Sequence, residues 1–244
     1  MIIHQEICVG CGRCQPYCPT NAIHFEALKS VVDQVVCYEC GSCLRSGVCP
    51  VDAIEEHPHV YDYPRALRKY FSDPNATHAL TGIQGRGTEE SKTNDVTLRV
   101  GPGEIGVAIE TGRPNIGMNL TDIQKITRAL AKAGITEIEA NNPIQDMIAN
   151  HETGDLKPEL LGERVLSAII EIAIKRDRLR PVLRTIKEVA KEVDTVFTLD
   201  TYMTLEPNLT VPPDVLEILE SEGLRWRPNA KINMGLGRAW EKEK

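Results

Sequence analysis

All eight cysteines of this 244-residue chain lie within its first fifty residues. Cys8, Cys11, Cys14 and Cys18 are separated by two, two and three residues and run into Pro19. Cys37, Cys40, Cys43 and Cys49 are separated by two, two and five residues and run into Pro50. Two residues between sulfurs let a tight loop present three thiolates to one object, and a fourth must then arrive from elsewhere. Four thiolates hold one [4Fe–4S] cube, so the eight cysteines account for two such clusters and imply one-electron transfer. Gly10, Gly12 and Gly41 fall between the ligands. There a positive φ brings backbone N–H groups toward cluster sulfur, and such hydrogen bonds, with burial and charge, tune the reduction potential. Pro19 and Pro50 fix φ and turn the chain away.

Closely spaced cysteine pairs also serve zinc and disulfides. Zinc sites usually use two well-separated pairs, and a C-x2-C-x2-C triple crowds three thiolates for one tetrahedral ion. Disulfides belong to oxidising compartments, whereas free thiols destined for clusters fit a reducing cytoplasm. An internal repeat supports the cluster reading. Ile7-Cys8 answers Val36-Cys37, and Cys18-Pro19-Thr20-Asn21-Ala22-Ile23 answers Cys49-Pro50-Val51-Asp52-Ala53-Ile54. The offset grows from 29 at Cys8 to 31 at Cys18. The two additional residues fall within Leu44–Val48, which predicts an enlarged loop before Cys49 with altered exposure or partner contact.

The first half, Cys8-x2-Cys11-x2-Cys14-x3-Cys18-Pro19, resembles the bacterial dicluster ferredoxin family, and the resemblance covers roughly residues 1–57. It implies crossed ligation: Cys8, Cys11, Cys14 and Cys49 on one cluster, Cys37, Cys40, Cys43 and Cys18 on the other. It further implies a small dicluster domain carrying low-potential electrons to a redox partner protein or within an oxidoreductase.

Composition narrows the setting. The chain is 41% hydrophobic with three Phe and two Trp, so a core beyond the cysteine region must be aliphatic. No stretch approaches the roughly 20 apolar residues of a transmembrane helix. The sequence enters the cysteine motif directly after Met1–Glu6, which predicts no signal peptide and a cytoplasmic location. Net charge is −7, and residues 1–60 hold three basic against seven acidic side chains. That balance argues against nucleic acid and suits a partner with a basic patch.

The remaining residues must build whatever positions this site. Glu55-Glu56-His57-Pro58-His59 reads as a loop of solvated histidines. Residues 64–71 read as a short basic helix with Pro64 in its first turn, and 72–94 as a connector containing the loop Gly82–Glu90. Gly101-Pro102-Gly103-Glu104-Ile105-Gly106 matches a dinucleotide-binding spacing, but no helix follows. It reads instead as a hairpin turn between strands near 95–100 and 105–110. Thr121–Gln124 has the form of a capping box for a helix with Ile123, Ile126, Leu130 and Ala133 on one face and Gly134 beyond its end. Strands follow at 135–140 and 165–174, a helix at 181–193, a strand at 194–200 and a helix at 214–222.

The order predicts an α+β chain: the dicluster domain, then a ferredoxin-like, ACT-like α/β sandwich with an antiparallel sheet. The expected domains are 1–60, a helix and linker at 61–94, the sandwich at 95–205, and a C-terminal helix and tail at 206–244. Trp226 and Trp240 in the tail are expected over an edge or a subunit interface, and the sandwich could support a homo-oligomer. Arg86, Glu110 and Arg113, with Asn94, Asp95 and Asn141, lie beside predicted turns and could line a ligand site, although turn chemistry and solvated charge are the favoured explanation of such residues. Three functions are therefore in play: an electron carrier or oxidoreductase subunit, an iron–sulfur enzyme whose second domain binds an organic substrate, and a redox or ligand sensor. The absence of a flavin or P-loop motif after residue 50 weighs against the second, and no DNA-binding motif supports transcriptional control.

Overall fold

Residues 1–85, 100–112, 116–139 and 142–226 are described by the computed structural model. The cysteine-bearing segment is built from β1 (Ile2–Ile3), β2 (Ile23–Glu26), β3 (Lys29–Val32), the single turn α1 (Ser42–Arg45) and β4 (Ile54–Glu55). β1 pairs antiparallel with β4, setting Ile3 opposite Ile54, and β2 pairs with β3, setting Ile23 opposite Val32. The sequence repeat is thus a structural repeat, each half contributing one strand to each pair and one cysteine loop. Ala22, Ile23 and Ile54 close a small core with Met1, Cys14, Cys37 and Cys43. The two additional residues of the second half are absorbed by α1, whose chain reverses at Gly47 with φ +61°.

α2 (Ala66–Ser72) joins this segment to the rest. Its Arg68 donates from Nη1 to the carbonyls of Gln34 (2.8 Å) and Cys37 (2.9 Å), and its Nε pairs with Glu163. Ser72 Oγ accepts from Leu166 N–H at 2.9 Å. The Tyr38 ring lies against Gly117, where φ is +74° and an added Cβ would stand 2.1 Å from the ring.

The larger part contains β5 (Glu104–Thr111), β6 (Met118–Asn119), α3 (Leu120–Lys132), β7 (Ile148–Asn150), β8 (Asp155–Leu156), β9 (Arg164–Val165), β10 (Ala168–Lys175), α4 (Leu179–Val189), β11 (Phe197–Tyr202) and α5 (Pro213–Ser221). β5 is the centre of a three-stranded antiparallel sheet ordered β10-β5-β11. Ile105, Val107 and Ile109 stand opposite Ile174, Ile172 and Ile170. That aliphatic face packs with Ile123, Ile126 and Leu130 of α3 and Val182, Leu183 and Ile186 of α4 into the main core. The aliphatic composition is met by period-two strands facing period-3.6 helices.

Several expectations are corrected. Residues 135–139 are not a strand. Glu139 N–H reaches Glu171 O at 2.9 Å, but the next outward acceptor, Ile169 O, is taken by the Asn142 side chain, and Glu139 O accepts from Asn142 N–H at 2.9 Å rather than from β10, so no ladder propagates. The capping box does not form. α3 begins after Asn119, whose side chain makes no cap, and Gln124 Oε1 instead accepts from Leu156 N–H at 3.0 Å. The far end behaves as expected: Gly134 at φ +78° places Ile135 N–H on Leu130 O. Residues 73–85 are not a bare connector, because Asp73, Ala76 and His78 are buried and Thr77 bridges Gln84. The strand expected near 95–100 lies largely outside the described residues, as do 86–94 and Trp240, while Trp226 is exposed.

His78 is wedged between Tyr70 and Phe71. Burial pushes its pKa below the usual imidazole value of 6.5. A depressed folded-state pKa leaves its contribution intact above the unfolded value and removes it as pH falls through the folded one. His78→Asn keeps an acceptor for Leu80 N–H. It is expected to flatten the acid side of the stability profile, read by thermal melts across about pH 5 to 8; an unchanged profile contradicts this assignment.

Candidate iron–sulfur site

The cysteine loops enclose two chambers. One is lined by Cys8, Cys11, Cys14 and Cys49 with Ile3, Val9, Ser30, Val51 and Ile54 among its walls. The other is lined by Cys18, Cys37, Cys40 and Cys43 with Met1, Tyr38, Thr20, Ile23 and Val32. Each chamber takes three sulfurs from one loop and its fourth from the other half, so the β1–β4 and β2–β3 pairs carry Cys49 and Cys18 across to the opposite chamber. Among the described residues no three Cys, His, Asp or Glu side chains converge tightly enough to hold a lone metal ion. Four soft donors around an apolar chamber suit an iron–sulfur cube rather than a point charge.

The backbone is arranged around the sulfurs in the same way twice. Ala22 N–H donates to Cys18 Sγ at 3.1 Å and Ala53 N–H to Cys49 Sγ at 3.2 Å. Both are aimed by a preceding residue in the left-handed region, Asn21 at φ +54° and Asp52 at φ +50°. Gly10 at φ +69° lies so close to the β2–β3 turn that an added Cβ would stand 2.1 Å from Leu28 O. Its counterpart in the second loop is Glu39, at φ +56° without the freedom of glycine. The Glu39 carboxylate is instead held by the Met1 ammonium and Arg65. Burial alone would raise its pKa, yet these ion pairs keep it below the usual carboxylate range.

The two chambers differ in surroundings. Cys37, Cys40 and Cys43 are buried, and burial with the neighbouring cysteines pushes the Cys43 thiol up to about 12. Such a thiol is no free nucleophile, and ligation to a metal would draw off its proton. Cations frame this loop: Arg68 on the Gln34 and Cys37 carbonyls, and Arg45 on Cys40 O at 2.6 Å and Asp73 at 2.7 Å. Lys69 is fixed between Glu56 and Asp73. At the first chamber Cys11 is exposed, flanked by Val9 at 63% and Leu28 at 88% exposure.

All eight cysteines named from the sequence are gathered here. Glu110 is not on a loop, although the turn at Gly112 lies two residues on. It lies within β5 between Ile169 and Thr198, 3% exposed, because the strand runs on to Thr111. Arg86, Arg113, Asn94, Asp95 and Asn141 fall outside the described residues. His57 is half-buried and His59 is exposed, bonding Asp62 at 2.7 Å, in keeping with a solvated loop. Sequence reasoning missed Arg68, Arg65, Ser30 and Glu39. The basic character of residues 64–71 was visible, but its direction, onto the carbonyls of the second cysteine loop, was not.

Residues 1–24 match the 4Fe-4S binding domain family. Ferredoxin-1 of Chlorobaculum tepidum is 42% identical over 53 residues, which is 20% of this chain and 86% of that protein. Through this segment the chain belongs to the ferredoxin family, and it carries a ferredoxin-type [4Fe–4S] electron-transfer region at its N-terminal end. Pyruvate synthase subunit PorD of Thermotoga maritima is 40% identical over 58 residues, 23% of this chain and 57% of that subunit. A component of the ion-translocating oxidoreductase complex of Methanosarcina acetivorans is 40% identical over 48 residues, 20% of this chain and 17% of that component. No solved structure matches the chain significantly. Among the described residues no helix is long and apolar enough to cross a membrane.

Proposed function

We propose that the chain holds two [4Fe–4S] clusters, one on Cys8, Cys11, Cys14 and Cys49 and one on Cys18, Cys37, Cys40 and Cys43, and passes electrons singly to or from a partner redox protein or oxidoreductase subunit. The observation that carries this reading is the pair of chambers, each walled by four cysteines drawn from both halves. When bound, the clusters supply the reversible one-electron couple. The chain's own residues hold them apart from water, orient N–H donors at Cys18 and Cys49, and leave one edge open at Cys11. The likeness to PorD and to the component of the ion-translocating complex supports a place beside an oxidoreductase.

The division into a cluster domain at 1–60, a helix and linker at 61–94, a sandwich at 95–205 and a tail at 206–244 belongs to the same reading. The sandwich is a split β-α-β unit of ACT-like kind, with β5, β10 and β11 as three of its strands and the 135–139 segment beside β10 where a fourth would stand. Its task is docking, to a partner or to a second copy. Anaerobic iron and sulfide analysis with stepwise reduction monitored by EPR tests the whole. About eight iron atoms and two interacting S = 1/2 signals are expected, whereas zinc, or no iron after reconstitution, would sink it.

A further inference from the structure

Resting on the two-cluster reading, we propose that the Ser30 hydroxyl is a potential-setting hydrogen-bond donor to the first cluster alone, directed at the Cys14 sulfur or a cluster sulfide, and that it makes that centre easier to reduce. Ser30 sits on β3 opposite Phe25, and its carbonyl is pinned by Gln5 Nε2 at 2.9 Å, so the strand cannot rotate the side chain away. The residue is 1% exposed and lines the chamber of Cys8, Cys11, Cys14 and Cys49. Its Oγ has no hydrogen-bond partner within the protein. A buried hydroxyl without a partner is unfavourable, and the apolar side chains that line the same chamber, Ile3, Val9, Val51 and Ile54, offer it no acceptor. The acceptors that this chamber would offer it once filled are the sulfurs of the cluster and its ligands.

The repeat makes this donor specific to one chamber. Ser30 stands seven residues before Cys37, and the residue seven before Cys8 is Met1. Met1 lines the second chamber, where its thioether has no hydrogen to donate and its ammonium, not a hydroxyl, points at Cys37 Sγ from 3.8 Å, so a hydroxyl donor at this repeat position belongs to the first chamber. A hydrogen bond to cluster sulfur favours the more negative, reduced state, so its removal lowers the potential.

The test uses the full-length protein after its iron content has been established, with Ser30→Ala and Ser30→Thr compared by EPR-monitored titration and by ENDOR of exchangeable protons. For Ser30→Ala one of the two potentials is expected to fall by about tenfold in the one-electron equilibrium, about 59 mV. An exchangeable proton coupling is expected to disappear with it. The Thr variant, which keeps the hydroxyl, restores both. The affected signal is the one lost in Cys14→Ala. Two clusters with unchanged potentials and couplings in Ser30→Ala overturn the Ser30 assignment while leaving the two-cluster reading intact. So does an equal shift of both potentials, or a shift of the Cys43-dependent signal. A wild-type protein without clusters instead removes the reading on which the assignment rests.

Discussion

Alanine at Cys49 is expected to erase the same EPR signal as alanine at Cys14, and to spare the signal that depends on Cys43. In sequence Cys49 belongs to the second run, and pairing by proximity along the chain would assign it there. In space it closes the chamber of Cys8, Cys11 and Cys14. Cys18 is its mirror image, closing the chamber of Cys37, Cys40 and Cys43. Each single substitution should therefore reduce the iron content by about half, from ~8 to ~4 atoms, or leave a three-iron centre in the affected chamber. Cys18→Ala should fall in one class with Cys43→Ala, and Cys49→Ala in the other with Cys14→Ala. Iron analysis and EPR on the four variants decide the matter. If Cys49→Ala and Cys43→Ala extinguish one signal in common, ligation follows the chain and the crossed arrangement is wrong.

Arg68→Met is expected to destabilise the protein by about 3–5 kcal/mol, the range for breaking a buried ion pair by deleting one partner. The Arg68 and Glu163 side chains are 7% and 13% exposed, so water can do little to replace the lost partner. The same guanidinium also satisfies the Gln34 and Cys37 carbonyls, linking the second cysteine loop, α2 and the segment preceding β9. Lysine should rescue poorly, because one ammonium cannot reproduce a planar fork reaching two carbonyls and a carboxylate together. The double variant Arg68→Met/Glu163→Gln should lose less than the sum of the single changes, since neither retains an orphaned charge. Urea denaturation of the four proteins measures this. Additive losses, or a loss below about 1 kcal/mol as at exposed pairs, would show that Arg68 does not fasten the two parts together.

Much of the local architecture was legible. The alternation in Ile105–Ile109 and Ile170–Ile174 and the helical spacing of Ile123, Ile126 and Leu130 report periodic burial, and Gly134 reports a left-handed helix end. The boundaries drifted where side chains found distant partners. Thr121 and Gln124 have the spacing of a cap, but Gln124 is claimed by Leu156 N–H. Residues 135–139 have the alternation of a strand, but Asn142 occupies the Ile169 carbonyl the ladder needs. The β2–β3 turn was illegible because Ala27 and Leu28, both at positive φ, lack the Asn or Gly that usually announces it.

By itself the sequence determined the class of cofactor and the number of thiolates available for it. Cysteine spacing governs which sulfurs one loop can present, and that is a local property of a few residues. The tertiary structure alone decided which chamber keeps an open edge, that Arg68 lies on the Cys37 carbonyl, and that Ser30 lines the first chamber, while the crossed gathering of Cys49 and Cys18 was already implied by the family resemblance. Those outcomes depend on strand pairing across tens of residues and on competition for individual carbonyls and N–H groups. The free energies that decide them reside in contacts between segments rather than in the composition of any one of them.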